Sequence, residues 1–258
     1  MLNFLDVDFE KFIINFKVVL ASLICLTIYY YFAYPMGVLT ALIPIIIQGP
    51  SIGSVRRKAM QLLLGIVVGL LVGAVISSLY TNQYLESLII LAAWILISSY
   101  NSKNTYTVIF WILSGLMPLL ISYFGIFSPE LAIPVSLGLL SAGFIGCMIY
   151  LIIDFSLFPK YTRDIIQNSI LSMIESERQI LNDIFNSFLL GKSPDKSIAK
   201  KILGFKNKFP DLHGLLLDMK TESKIEGNLE LVLNLYVKKF NDLALQIASL
   251  NNTVLGYE

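Results

Sequence analysis

The sequence carries too little charge for a water-soluble fold. Only 14% of its 258 residues are charged while 56% are hydrophobic, against about a quarter charged in an ordinary globular domain. A chain of that balance needs lipid as part of its solvent. Histidine occurs once, at His213, and cysteine twice, at Cys25 and Cys147 within apolar runs. A histidine triad, a metal-ligand spacing and a disulfide framework therefore lack the residues to build them. The two cysteines read as small packing residues, and His213 as a surface or loop residue. The net charge is +1, so the clustered positive charge that meets phosphates is missing and nucleic acid is not a partner. The phosphate-cradling G-x-x-x-x-G-K-[ST] pattern is absent as well, which argues against direct use of ATP. With no nucleophile–base pair and no cofactor fingerprint, neither an enzyme nor a bound cofactor is expected. The opening MLNFLDVDFE is acidic where a signal peptide would be basic, so the first apolar segment is expected to stay in the mature chain.

The charge that is present falls unevenly. Between Leu20 and Phe158 the basic residues are Arg56, Arg57, Lys58 and Lys103, whereas Lys160 to Glu258 is densely charged. This predicts a cytoplasmic amino-terminal segment over 1–15, a membrane domain over 16–159 and a cytoplasmic helical domain over 160–258. Apolar stretches at about 16–34, 36–48, 60–80, 84–99, 106–124 and 131–158 read as six transmembrane helices, several near the roughly 20 residues that a span needs. The fold class expected is an all-α membrane protein with a carboxy-terminal cytoplasmic helical bundle. Six spans would put both termini and the loops around Arg57 and Lys103 on one face. The opposite loops, around Pro35, Asn82 and Ser128, hold Glu86 and Glu130 but no lysine or arginine. The positive-inside rule makes the basic face of this multi-pass chain cytoplasmic.

The second stretch is short. Met36 to Gln48 makes some 20 Å of helix against a hydrocarbon core of roughly 30 Å, contains Pro44 and stops at Gly49-Pro50. The fifth is interrupted by Gly115 and Pro118 at the matching place, if the helices divide three plus three into inverted halves. Such paired interruptions point to a transporter binding site. After Gln48, the run Gly49-Pro50-Ser51-Ile52-Gly53-Ser54 leads into Arg56-Arg57-Lys58. Glycines, free backbone amides and a helix amino terminus favour an anion, and three cations reinforce that. The candidate substrate contacts are Gln48, Ser51, Ser54, Arg56 and Arg57. Asn101 and Lys103, with Ser98 and Ser99, form a second polar cluster at the same entrance. The plainer reading of Arg56, Arg57 and Lys58 is that they anchor topology, and loop solvation accounts equally for the second cluster.

Asp154 is the acidic residue inside a long apolar run, where a carboxylate is costly unless it faces protein, water or a cation. It is the candidate for proton coupling; an interfacial place near Lys160 or Arg163 is the plainer expectation. Gly65, Gly69 and Gly73 share one face of the third helix, and Gly138, Ala142 and Gly146 one face of the sixth. Small residues let backbones approach, either within the chain or at a dimer interface. In the tail, Ile166, Ile170, Met173, Ile180 and Ile184 predict one amphipathic helix, and Leu229 through Leu250 another. Gly191-Lys192-Ser193-Pro194 and Gly227-Asn228 mark boundaries. These seams could close within one chain or against a second copy; their regularity favours the second, hence a homo-oligomer, with a dimer preferred.

The tyrosine-rich end of the first stretch, Leu39-Thr40-Ala41, Gln48-Gly49-Pro50-Ser51-Ile52-Gly53, Lys58, Leu63-Leu64-Gly65-Ile66-Val67-Val68-Gly69 and Leu157-Phe158-Pro159 together resemble the fusaric acid resistance and aromatic acid exporter family over about residues 10–165. The chain departs from that pattern at Ile66, where the family usually has threonine, and at Gln61, where it often has arginine. The resemblance implies a bacterial inner-membrane efflux protein for aromatic carboxylic acids, sometimes working with a periplasmic adaptor. It also implies pairing of two copies, since many relatives carry two such units. The function expected is a secondary exporter of small organic anions across the inner membrane. The alternative is a membrane-anchored scaffold or sensor acting through its helical tail.

Overall fold

The computed structural model describes residues 9–32, 37–80, 84–104, 106–189 and 209–222, with scattered helical positions between 235 and 249. Among the described residues the chain is all α-helical: α1 (Phe9–Phe32), α2 (Gly37–Ile47), α3 (Ile52–Tyr80), α4 (Tyr84–Asn101), α5 (Val108–Phe127), α6 (Pro129–Ser156), α7 (Thr162–Leu189) and α8 (Phe209–Glu222). The chain forms two compact units, Met1–Pro159 and Lys160–Glu258.

Helices are what an apolar chain must form in lipid, because every backbone amide needs its acceptor within the same segment. Among the described residues four helices are long and apolar enough to cross a membrane: Lys11–Phe32, Ile52–Leu79, Val108–Gly125 and Glu130–Ser156. The expected six are therefore corrected to four, and the first unit is a multi-pass membrane domain with two shorter apolar helices, Val38–Ile47 and Leu85–Asn101. An apolar run is not the same thing as a helix: α2 has eleven residues, roughly 16 Å of rise, and Gln48 to Ser51 is not helical. The two inverted three-helix halves do not emerge either. Whereas α2 is short, its intended counterpart α5 is one continuous helix of 20 residues that runs through Gly115 and Pro118.

Proline has no N–H, so Pro118 leaves the carbonyl four residues earlier without its helical donor. That carbonyl, on Ser114, accepts the indole N–H of Trp94 from α4 at 2.8 Å. Pro44 likewise lies within α2.

Contacts along the helices fix their directions. Gly65, Gly69 and Gly73 of α3 meet Phe110, Met117 and Ile121 of α5 in the same chain order, so α3 and α5 run parallel. A Cβ on Gly65 would lie 2.8 Å from the Phe110 carbonyl oxygen; the stripe is the seat of α5 on α3. Ser22 of α1 donates to the Ala41 carbonyl of α2 at 2.9 Å, and Lys17 near the start of α1 reaches Asp154 near the end of α6. Gly146 of α6 lets Ile43 and the Thr40 carbonyl of α2 approach, and Gly143 does the same for Ile66 of α3. Thus α1, α3 and α5 run one way while α2 and α6 run back, around a core containing Ala21, Ile47, Val55, Leu62 and Tyr150. The start of α1, the α2–α3 junction, the start of α5 and the end of α6 lie together at one end of the unit.

In the second unit, α7 and α8 pack through Ile166 and Ile170 against Leu215 and Met219. Glu222 accepts the Thr162 N–H at 2.8 Å, satisfying one of the orphan amides at the start of α7. Leu171, Ile174, Leu181, Phe185 and Leu189 line another, exposed side of α7. The amphipathic run expected at Ile166 to Ile184 falls within α7. The Leu229 to Leu250 run, both glycine-marked boundaries and the His213 side chain lie outside the described residues, apart from scattered positions.

Candidate functional site

The chain breaks between α2 and α3, at Gly49 and Pro50, and local polar bonds shape that break. Ser51 accepts the Ser54 N–H on its hydroxyl at 3.2 Å, and the Ser54 hydroxyl donates to the Ser51 carbonyl at 3.1 Å. Ser51 is thus the N-cap of α3, the position where serine satisfies an orphan amide. Both side chains are buried. Gly49 suits this turn because a Cβ would collide with the Ser54 hydroxyl in the position where it bonds the Ser51 carbonyl. Lys58 donates to the Gln48 carbonyl, so a cation from the first turns of α3 neutralises the carbonyl end of α2. The structure brings Gln48, Ser51, Ser54 and Lys58 into one cluster.

Beside it, the Arg57 guanidinium donates to the Tyr106 carbonyl at 3.2 Å and lies 5.9 Å from the centre of that ring. The Gln61 amide donates to the same carbonyl, and Asn104 accepts the Tyr106 N–H at 3.0 Å. Arg57 and Gln61 therefore moor the loop before α5 onto α3. Arg56 is exposed. Asn101 donates to the Ile97 carbonyl at 2.8 Å, a bond inside the last turn of α4, and Lys103 sits 5.5 Å from the centre of the Tyr100 ring. Between α4 and α5 a cavity of about 250 Å³ is lined by Ser98, Ser99, Ser102, Trp111 and Gly115 together with aliphatic side chains. Tyr106 and Gln61 are members of this site that composition does not single out. The aromatic residue following the basic loop was the available signal.

A second polar centre lies between α1 and α6. The Lys17 ammonium is 2.7 Å from Asp154 Oδ1, the side chains being 5% and 7% exposed. It donates as well to the carbonyls of Asp154 at 3.4 Å and Phe158 at 3.2 Å. The expected neighbours of Asp154 were Lys160 or Arg163; its salt-bridge partner in the membrane unit is Lys17, buried within the unit and not set out at a loop. Asp154 Oδ2 and the Tyr150 hydroxyl are buried with no hydrogen-bond partner. No signal along the sequence joins residues 137 positions apart.

Comparison with known families decides what kind of chain this is. The profile described as fusaric acid resistance protein-like matches residues 23–153, more than half of the sequence. The chain belongs to that family. A search of curated proteins gives no match. In this fusaric acid resistance-like protein the matched segment covers the α2–α3 break, the Arg57–Tyr106 cluster and the α4–α5 cavity. Lys17 falls before it and Asp154 just after it. Among the described residues no group of three or more histidine, cysteine, aspartate or glutamate side chains is placed to hold a metal ion.

Proposed function

We propose that this protein is a secondary exporter of small organic anions, aromatic carboxylates foremost, across the inner membrane. The observation that carries the reading is the family match over a multi-pass membrane domain. The site it favours is the end of the unit where Gln48, Ser51, Ser54, Arg56, Arg57, Asn101 and Lys103 gather. Arg57 and Lys58 are bonded to neutral carbonyls, and a carboxylate arriving there would make the stronger, charge-assisted bond. Tyr106 offers a ring face next to that charge, and Gly49 and Pro50 hold the chain break open beside it.

The described basic residues of the first unit sit toward the end that holds the α2–α3 junction, while Glu86 and Glu130 begin α4 and α6 at the other. Under the positive-inside rule that basic end is cytoplasmic. An anion leaving a cell that is negative inside gains about 2.3 kcal/mol per 100 mV, roughly a fiftyfold gradient. ATP is therefore unnecessary, and Asp154 is the group to couple a proton where more drive is needed. Two copies acting together, with a periplasmic adaptor at the outer end, complete the reading.

The test is accumulation of a radiolabelled hydroxybenzoate in cells expressing wild type, Arg57→Ala or Lys58→Ala at equal membrane abundance. Wild type should lower accumulation and the variants should not. No effect of wild type across a panel of organic anions would sink the proposal. The exposed apolar side of α7 favours a second reading, a membrane-anchored scaffold that binds a partner through its tail. Truncation after Arg163 separates the two, since an exporter that still assembles keeps some transport and a scaffold loses all function.

A further inference from the structure

We infer that the cleft between α4 and α5 is a binding site for an uncharged, single aromatic ring that carries a hydroxyl group, with Ser98 as the residue that reads the hydroxyl. The site is separate from the cluster around Arg57 and Lys58. It does not depend on the exporter reading.

Hydroxyl groups gather at this seam. Ser98, Ser99 and Ser102 lie in or just beyond the last turn of α4, and Ser114 of α5 meets Ser98 hydroxyl to hydroxyl. Two of them are occupied by backbone: Ser102 donates to the Ser99 carbonyl at 2.8 Å, and Ser114 donates to the Trp111 carbonyl at 3.1 Å. Ser98 is different. It is only 3% exposed, yet among the described residues its hydroxyl finds just the Ser114 oxygen at 3.5 Å, too long for a good O–H···O bond. A buried hydroxyl without a proper partner costs free energy. A ligand hydroxyl in the cleft supplies that partner.

The walls set the size and kind of ligand. Gly115 keeps the space in front of Ser98 free, since a Cβ there would lie 3.0 Å from the Ser98 Cβ. Trp111 lines the cleft, its indole held edge-on to Phe110 with ring centres 5.0 Å apart, and an aromatic wall favours an aromatic guest. The volume is about 250 Å³. A cavity of about 150 Å³ already takes benzene, so one ring with its substituent fits.

Charge narrows the class further. Among the described residues that line the cleft none is charged, and a carboxylate placed there would lack the cation that makes it tolerable in a membrane domain. A phenol, with a pKa about 10 like that of tyrosine, is neutral at pH 7. Ile112, Leu116 and Leu119 are exposed along the rim, so an uncharged ring dissolved in the bilayer enters from the lipid side. An acyl chain could take the same route but offers nothing to Ser98. Two sources share the required chemistry: a free phenol in the bilayer, or the hydroxyl-bearing end of a larger solute whose charged end stays outside.

The test measures binding and not transport, so its failure is separable from failure of the exporter reading. The chain's two tryptophans, Trp94 and Trp111, both belong to this seam. The full chain labelled with fluorotryptophan in lipid nanodiscs therefore gives two fluorine resonances, assigned with Trp111→Phe. Phenol should move the Trp111 resonance saturably, and toluene at equal concentration in the bilayer should bind about fivefold more weakly, the worth of one hydrogen bond. Benzoate, charged and without the hydroxyl, should give no saturable shift. Ser98→Ala should weaken phenol about fivefold and leave toluene unchanged, a split that misfolding would not produce. Ser122→Ala, buried on α5 outside the cleft, should leave both ligands unchanged. A shift with para-hydroxybenzoate like that with phenol assigns the site to the end of a larger solute, and its absence assigns it to free phenol. Phenol binding no tighter than toluene, benzoate binding as tightly as phenol, or phenol binding that Ser98→Ala does not weaken would overturn the inference and leave a groove filled by acyl chains.

Discussion

The membrane unit holds its cations in two different ways. At the start of α3, Arg57 and Lys58 are partly exposed and bonded to neutral carbonyls of Tyr106 and Gln48. Between α1 and α6, Lys17 is buried against a carboxylate. The first arrangement can trade a carbonyl for an incoming anion and lose little. The second cannot open without stranding a charge in a low-dielectric interior. One centre therefore suits exchange with a ligand, and the other fastens α1 to α6.

The sharpest test of that contrast is to remove half of the buried pair. Lys17→Met or Asp154→Leu alone should destabilise the unit by about 3–5 kcal/mol, and the double variant should recover most of the loss. Unfolding in detergent micelles, followed by denaturant titration, measures it. Single variants that cost under about 1 kcal/mol would make the two centres alike, since that is what an exposed pair is worth. Next in size is Gly65→Ala, whose methyl meets the Phe110 backbone; overpacking of this kind should cost about 1–3 kcal/mol. The same titration should show Ser51→Ala losing about 1 kcal/mol as an N-cap. The smallest stability effect belongs to Arg57→Ala, below about 1 kcal/mol, though that variant should lose the lowering of hydroxybenzoate accumulation.

What could be read along the chain was what is local. The Gly65, Gly69 and Gly73 stripe declared a close-packed face because its period is helical, and the packing reading of it holds against α5. The shortness of the second apolar stretch was visible from its length and from Pro44, Gly49 and Pro50. The count of crossings was not, because hydropathy measures apolar runs and not where a helix ends; Gln48 to Ser51 belongs to the run but not to a helix. Pro118 looked like a break because the sequence could not show that Trp94 would take up the freed Ser114 carbonyl. Lys17 was hidden for a related reason. A lone lysine near the start of an apolar stretch reads as a topology signal until the fold brings Asp154 to it.

The central claim is that this fusaric acid resistance-like protein carries organic anions, and purified protein in liposomes tests it most directly. Liposomes loaded with radiolabelled hydroxybenzoate should release it when an inside-negative potential is imposed. Release should slow when the potential is collapsed, and it should fall to the rate of loaded protein-free liposomes in a variant carrying both Arg57→Ala and Lys58→Ala. Release no faster than from loaded protein-free liposomes for wild type, at any potential, would contradict the account.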